Sequence, residues 1–287
     1  MKKHFSTILL IVIFLIGLSL LLYPSVSNYW NSIHQTRAIS NYLDTLNGTD
    51  DSAYEELLKA ASDYNTDLGK KNQVYEMTEE ETERYLSQLD ITGSGMMGYV
   101  VIPSIGVELP IYHGTAENVL QSSVGHLEWS SLPVGGAGTH SVLSGHRGLP
   151  SAKLLTDLDK LAVGDLFMLQ ILNETLTYEI DQILIVEPEN TSALMIVPGQ
   201  DLCTLFTCTP YGINTHRLLV RGHRMENLSD NDQLRLISDA IRIDPMVVTP
   251  LIAVPILLVL LVFLMIKTRK RKRNNATEKL KACDIEE

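Results

Sequence analysis

A mainly β domain, closed as an eight-stranded barrel and set between two apolar helices long enough to cross a membrane, is the architecture this sequence predicts. Three observations carry the prediction. Short β-branched runs recur between Gly and Pro from residue 97 to about 224, a texture typical of closed β-barrels. Residues 5–23 (FSTILLIVIFLIGLSLLLY) and 246–266 (MVVTPLIAVPILLVLLVFLMI) are almost unbroken apolar runs of membrane-spanning length. Between the first run and the β-rich part, apolar residues fall at helical spacings of three and four.

Taken in order, residues 1–23 form a signal-anchor or transmembrane segment. As a helix the apolar run spans about 28 Å, close to the bilayer core. Lys2 and Lys3 precede it and place that end in the cytoplasm. The run also fits a cleaved signal peptide, with Ser25-Val26-Ser27 as a small-residue cleavage site. Its apolar stretch exceeds the usual h-region of about 7–15 residues, so an uncleaved anchor is preferred.

Residues 24–96 form a helical extension. Tyr42, Leu43 and Leu46 make one periodic stretch, and Tyr54, Leu57, Leu58 and Ala61 a second. Asn47-Gly48-Thr49-Asp50 separates them, with Asp50 or Asp51 as N-cap. Thr78 starts a further short helix, and Glu81 three residues on completes a capping box.

Residues 97–226 carry the strands, expected at 98–103, 107–112, 141–144, 166–171, 175–180, 182–186, 201–207 and 217–221. Asn173-Glu174 reads as a hairpin turn, although it lacks the usual glycine. Residues 152–161 read as a helix within the barrel. Residues 227–245 are a polar connector to the second span at 246–266, where Pro250 and Pro255 predict a kink that membrane helices tolerate. Six of the seven residues at 267–273 are basic, which marks the 267–287 tail as cytoplasmic. The central domain is therefore expected outside the cell, with both termini inside.

Charge follows this partition. Ten of the 23 Lys+Arg but only four of the 34 Asp+Glu lie in the two ends. The part between them is near −17, against −11 for the whole chain. Such a domain has no electrostatic means of binding nucleic acid.

Three cysteines are too few for a disulfide framework. Cys283 lies in the cytoplasmic tail, and Cys203 and Cys208 have an odd spacing that turns them to opposite faces of a strand, about 16 Å apart. An exported domain that keeps an unpaired thiol points to reactivity. Cys208 ends a strand, where Thr209-Pro210-Tyr211-Gly212 begins a turn. A cysteine after an apolar run is, taken alone, more often a small buried hydrophobe, and burial is the expected fate of Cys203.

Among the histidines of the domain, His146 stands out from His113, His126, His140, His216 and His223. Ser144-Gly145-His146-Arg147-Gly148 places it between glycines at a strand end, where a side chain projects freely. Arg217 opens the strand after the 209–216 loop, and it falls beside Cys208 if the two strands pair antiparallel. A cysteine, a histidine and an arginine suffice for acyl transfer as nucleophile, proton carrier and oxyanion donor. No Cys-x-x-Cys, His-x-x-x-His or His-Glu-x-x-His spacing occurs, so no metal site is expected. Gly135-Gly136-Ala137-Gly138 lies between β-like runs and is a loop, not a phosphate cradle. No cofactor is expected.

The residues 204–208 (Thr-Leu-Phe-Thr-Cys) resemble the Thr-Leu-x-Thr-Cys signature of sortases, the cysteine transpeptidases of Gram-positive cell surfaces. Residues 143–148 resemble the segment around their catalytic histidine, and 216–222 the segment around their arginine. Leu109-Pro110-Ile111-Tyr112-His113-Gly114 and Thr207-Cys208-Thr209-Pro210-Tyr211-Gly212, with the helical extension and second span, are similar to the pilus-building class C branch. The resemblance implies a sortase-type barrel with Cys208, His146 and Arg217 catalytic and Thr207 in contact with substrate. It implies cleavage of an LPxTG-like sorting signal and transfer to an amine, a pilin lysine or a cell-wall peptide. The acceptor stays open here between pilus assembly and anchoring of surface proteins to peptidoglycan. A two-span protein whose β domain only binds a partner is the more distant alternative. One class C feature is missing: no proline occurs between Tyr64 and Gly98, so the usual Asp-Pro-aromatic lid tripeptide is absent. The site is then open or covered by another segment.

Overall fold

The computed structural model describes residues 5–71, 77–227 and 245–283. Two of its helices are apolar and long enough to cross a membrane. The first, α1 (Phe5–Asn47), runs through Pro24 without interruption, so the apolar run and the start of the extension form one helix. The last, α5 (Pro245–Cys283), contains Pro250 and Pro255. Most of the connector, residues 228–244, lies outside the described residues.

The unit Asn28–Arg242 contains the barrel. Its helices ahead of the barrel are the end of α1, then α2 (Asp51–Leu68) and α3 (Glu79–Leu86). Asp50 occupies the N-cap position of α2 without a side-chain cap bond. At α3 the capping box forms as expected: Thr78 accepts from the Glu81 amide, and the Glu81 carboxylate accepts from the Thr78 amide. Three buried side chains, one from each helix, fasten the helices to the barrel. The Tyr42 hydroxyl donates to Met97 O at 3.0 Å and accepts from Leu172 N at 2.7 Å. The Asn65 amide makes two bonds with the backbone of Leu132. The Tyr85 hydroxyl meets His126 Nδ1 at 3.0 Å and accepts from Gly114 N. Buried backbone groups outside strands need such partners.

Eight strands close the barrel: β1 (Met96–Ile102), β2 (Val107–His113), β3 (Val124–His126), β4 (Thr139–Ser144), β5 (Leu166–Ile171), β6 (Glu174–Val186), β7 (Asp201–Thr209) and β8 (His216–Arg224). Their order around the barrel is β1-β2-β3-β4-β7-β8-β6-β5. The β2–β3 and β4–β7 pairs are parallel and the remaining pairs antiparallel. Inward residues such as Val100, Ile111, Leu143, Phe167, Leu205 and Val220 are fully buried and fill the interior.

The count of eight strands holds, but its membership differs from expectation. The two runs at 175–180 and 182–186 are one strand, β6, whose register shifts between Ile180 and Gln182 where Asp181 is the extra residue. The missing strand is β3, whose three residues are too few to leave a period in the sequence. The hairpin turn lies one residue earlier than expected. Ile171 pairs with Glu174, so Leu172 and Asn173 make the turn, with Leu172 at φ 51°. Residues 152–161 do not form the expected helix. They fold as turns with one short 3-10 segment at Leu158–Lys160, their backbone held by the Asn28 and His146 contacts described below.

Candidate active site

Strand β7 decides the fate of both domain cysteines. Alternation along the strand puts Cys203 and Leu205 on the inner face, and Cys203 is fully buried in the core. Burial pushes its thiol well above the ordinary range, so it stays neutral. Cys208 shares the opposite face with Phe206 and is half-buried, and both cysteines are free. Thus the expected assignment of an inert Cys203 and an accessible Cys208 is what the structure has.

The partners of Cys208 come from the strands on either side. Strand β8 runs antiparallel to β7 with Cys208 directly opposite Arg217. Directly paired residues project from the same face, with Cβ atoms about 4.5–5.5 Å apart. The Arg217 guanidinium is steadied by bonds from Nη1 to Asn214 O and His216 O. Its Nη2 and Nε have no partner among the described residues. On the other side β4 runs parallel to β7 with Ser144 beside Phe206. Gly145 N extends the ladder to Phe206 O at 3.2 Å. His146 is two residues past Ser144, as Cys208 is two past Phe206. The three predicted residues therefore come from three consecutive strands at one end of the barrel.

The loop after β4 is shaped by close packing. A Cβ on Gly145 would sit 2.8 Å from Leu155, and one on Gly148 would sit 2.8 Å from the Tyr211 ring. Gly148 also has φ +76°, a region that favours glycine. Leu155 N donates to His146 O, and Gly148 N to the Thr156 hydroxyl. Helix α1 holds the outer part of this loop: Lys153 N donates to Asn28 Oδ1, and the Asn31 amide donates to Ser151 O.

Sequence reasoning missed Glu117, the first residue of the four-residue helix α4 (Glu117–Leu120). Its Oε2 lies 3.3 Å from His146 Nε2. Twenty-nine residues separate the two, and nothing local in the sequence links them. It also placed Thr207 in contact with substrate. In the structure Thr207 is buried, and its hydroxyl donates to Gly145 O at 2.7 Å. Among the described residues no group of three His, Cys, Asp or Glu side chains is arranged to hold a metal ion.

The sortase domain profile matches residues 100–225, the stretch that holds all three of these side chains. The solved structure of sortase C1 from Streptococcus agalactiae is 54% identical, covers 67% of this chain and 100% of its own, and superposes with a TM-score of 0.66. The chain belongs to the sortase family. Its likeness to class C sortases extends to a sortase C of Clostridium perfringens solved with the C-terminal cell wall sorting motif. That structure is 43% identical, covers 67% of this chain and 100% of its own, and has a TM-score of 0.60. Among curated sequences, sortase D of Bacillus subtilis (strain 168) is 32% identical over 131 residues. That match covers 45% of this sortase and 63% of the relative, so the chain spans less than two thirds of the relative's length. Within the extension, residues 72–76 lie outside the described residues, and Met77 packs against the main core.

Proposed function

We propose that this sortase is a membrane-anchored cysteine transpeptidase that joins pilin subunits through isopeptide bonds. The observation that carries the reading is the strand register. Cys208 and Arg217 are direct cross-strand partners, and the β4–β7 ladder delivers His146 to the same end of the barrel. Cys208 Sγ attacks the Thr–Gly carbonyl of an LPxTG-like sorting signal. Arg217 donates to the oxygen that gains charge. The C–N bond breaks, and His146 supplies the proton that leaves with the amine. The product is a thioester between Cys208 and the threonine carbonyl. An incoming amine, a pilin lysine, then loses its proton to His146 and displaces the Cys208 thiolate.

Recognition of an apolar signal has a surface to use. On the same face as Cys208, the half-buried Phe206, with Leu184 and Val186, packs over the buried Val142, Leu194 and Leu219 in a cluster separate from the barrel core. The Leu-Pro part of the signal is assigned to this face. Thr207 is assigned to holding Gly145, and so His146, instead of touching substrate. Glu117 is assigned to orienting the His146 ring.

Class C membership, the helical extension and the second apolar helix favour a pilin acceptor over a cell-wall amine. Incubation with candidate pilins, followed by mass spectrometry of the products, tests this choice. A pilin–pilin isopeptide bond is expected. A product joined only to a cell-wall peptide overturns the pilus reading while keeping the transpeptidase.

A further inference from the structure

We propose that Arg147, acting through Thr209 and balanced by Asp159, is a positioning residue that sets the spacing of His146 and Cys208. The proposal deepens the transpeptidase reading above and rests on it. The backbone ladder between β4 and β7 ends at Gly145 N and Phe206 O. Beyond that point the two chains are joined by side chains. Thr207, just before the cysteine, donates to the carbonyl of Gly145, just before the histidine. Arg147, just after the histidine, donates from Nη1 to the hydroxyl of Thr209, just after the cysteine, at 3.3 Å. The two rungs straddle the reacting pair. Beyond the reacting pair, the second rung is the side-chain bond that ties the histidine loop directly to the end of β7.

The surroundings of Arg147 fit a positioning role better than a stabilising one. Its side chain is 8% exposed, and Nη2 pairs with Asp159, which is 45% exposed. Its Nε is buried with no hydrogen-bond partner. A buried guanidinium with an unpaired donor carries a desolvation cost, and buried ion pairs replaced by apolar groups are often neutral in stability. Filling this space for stability alone would not select an arginine. What the arginine adds is reach: its fork spans from the histidine loop to both the β7 end and the Asp159 turn. Of the other charged or titratable groups, Glu117 from α4 meets His146, Arg217 from β8 lies opposite Cys208, and His216 from β8 lies opposite Thr209. None of these three bridges β4 to β7.

The test uses the full chain with Arg147→Met, Thr209→Val and the double variant. With an LPxTG-like peptide, Arg147→Met is expected to lower kcat about tenfold or more with KM within about twofold, as for a misplaced reacting pair. Thr209→Val is expected to lower kcat about threefold to tenfold, and the double variant to fall no further than Arg147→Met. Multiplying single effects in the double variant would overturn the proposal, as would wild-type kcat in Arg147→Met. A peptide-independent arm follows iodoacetamide alkylation of Cys208 from about pH 5 to 9, read on the Cys208 peptide by mass spectrometry. The expected Arg147→Met profile departs from wild type and coincides with that of His146→Ala. An Arg147→Met profile equal to wild type overturns the proposal, as does a wild-type profile equal to that of His146→Ala. Should the wild type cleave no such peptide, the transpeptidase reading fails, and the alkylation profiles still decide the role of Arg147. Thr209→Val keeps the test available if Arg147→Met does not fold.

Discussion

Arg217 shows how much chemistry one cross-strand position can hold. Nη1 is committed to two carbonyls of its own loop, and the remaining donors of the fork have no partner among the described residues. A lysine there would keep the charge and lose the planar pair of donors. Arg217→Lys is expected to reduce kcat about 100-fold or more, the usual effect of losing an oxyanion donor. Steady-state peptide cleavage checks it, and turnover near wild type would remove Arg217 from the mechanism. Cys208, His146 and Arg217 were marked out as candidates in the sequence because each sits at a strand end flanked by turn chemistry. Glu117 was not, since only the folding of α4 against the β4 loop brings it to His146. Thr207 was marked out as a substrate contact, and in the structure it is buried. Its hydroxyl points back at Gly145, a direction that strand parity cannot supply.

At the scale of elements, the joint between α3 and β3 is the part the sequence concealed most completely. Strand β3 has three residues, yet it carries His126, fully buried between the Tyr85 hydroxyl and Ser131 O. Desolvation by burial pushes the His126 imidazole down to about 4, the bond to Ser131 opposing it. The unfolded chain therefore binds a proton at His126 that the folded chain refuses. That contribution to stability is complete above about pH 6.5 and is lost as pH falls toward 4. Burial lowers His113 and His140 as well, so they act with the same sign. Thermal melting is expected to drop between about pH 6.5 and 4, with a shallower drop in His126→Gln. Equal slopes in the two proteins would show that His126 is not part of this linkage. The helix expected at 152–161 failed for a related reason. Its apolar spacing serves turns, with Leu155 and Leu158 buried and the backbone held by His146 O and Asn28. Periodicity alone does not separate these cases. The merged β6 is the converse, since a bulge at Asp181 reads in the sequence as a strand boundary.

For the whole molecule, the two apolar helices and the basic 267–273 run support a topology with the barrel outside and both termini in the cytoplasm. The two apolar helices stand where the sequence placed them, and the topology is argued from length and charge asymmetry, which need no tertiary knowledge. Cys208 and Cys283 report on opposite sides of such a membrane. A membrane-impermeant maleimide on intact cells is expected to label Cys208 and to reach Cys283 only after permeabilisation. Labelling of Cys283 on intact cells would refute the two-span topology. Cys203 stays silent in either case, being buried in the barrel core.

The claim on which the whole account turns is that Cys208 forms a thioester with the threonine of a cleaved sorting signal. Intact-protein mass spectrometry of the chain mixed with an LPxTG-like peptide measures it directly. The expected result is an adduct carrying the peptide up to its threonine, mapped to Cys208, released by hydroxylamine and absent in Cys208→Ala. Cleavage that persists in Cys208→Ala, or an adduct mapped to another residue, would contradict the account.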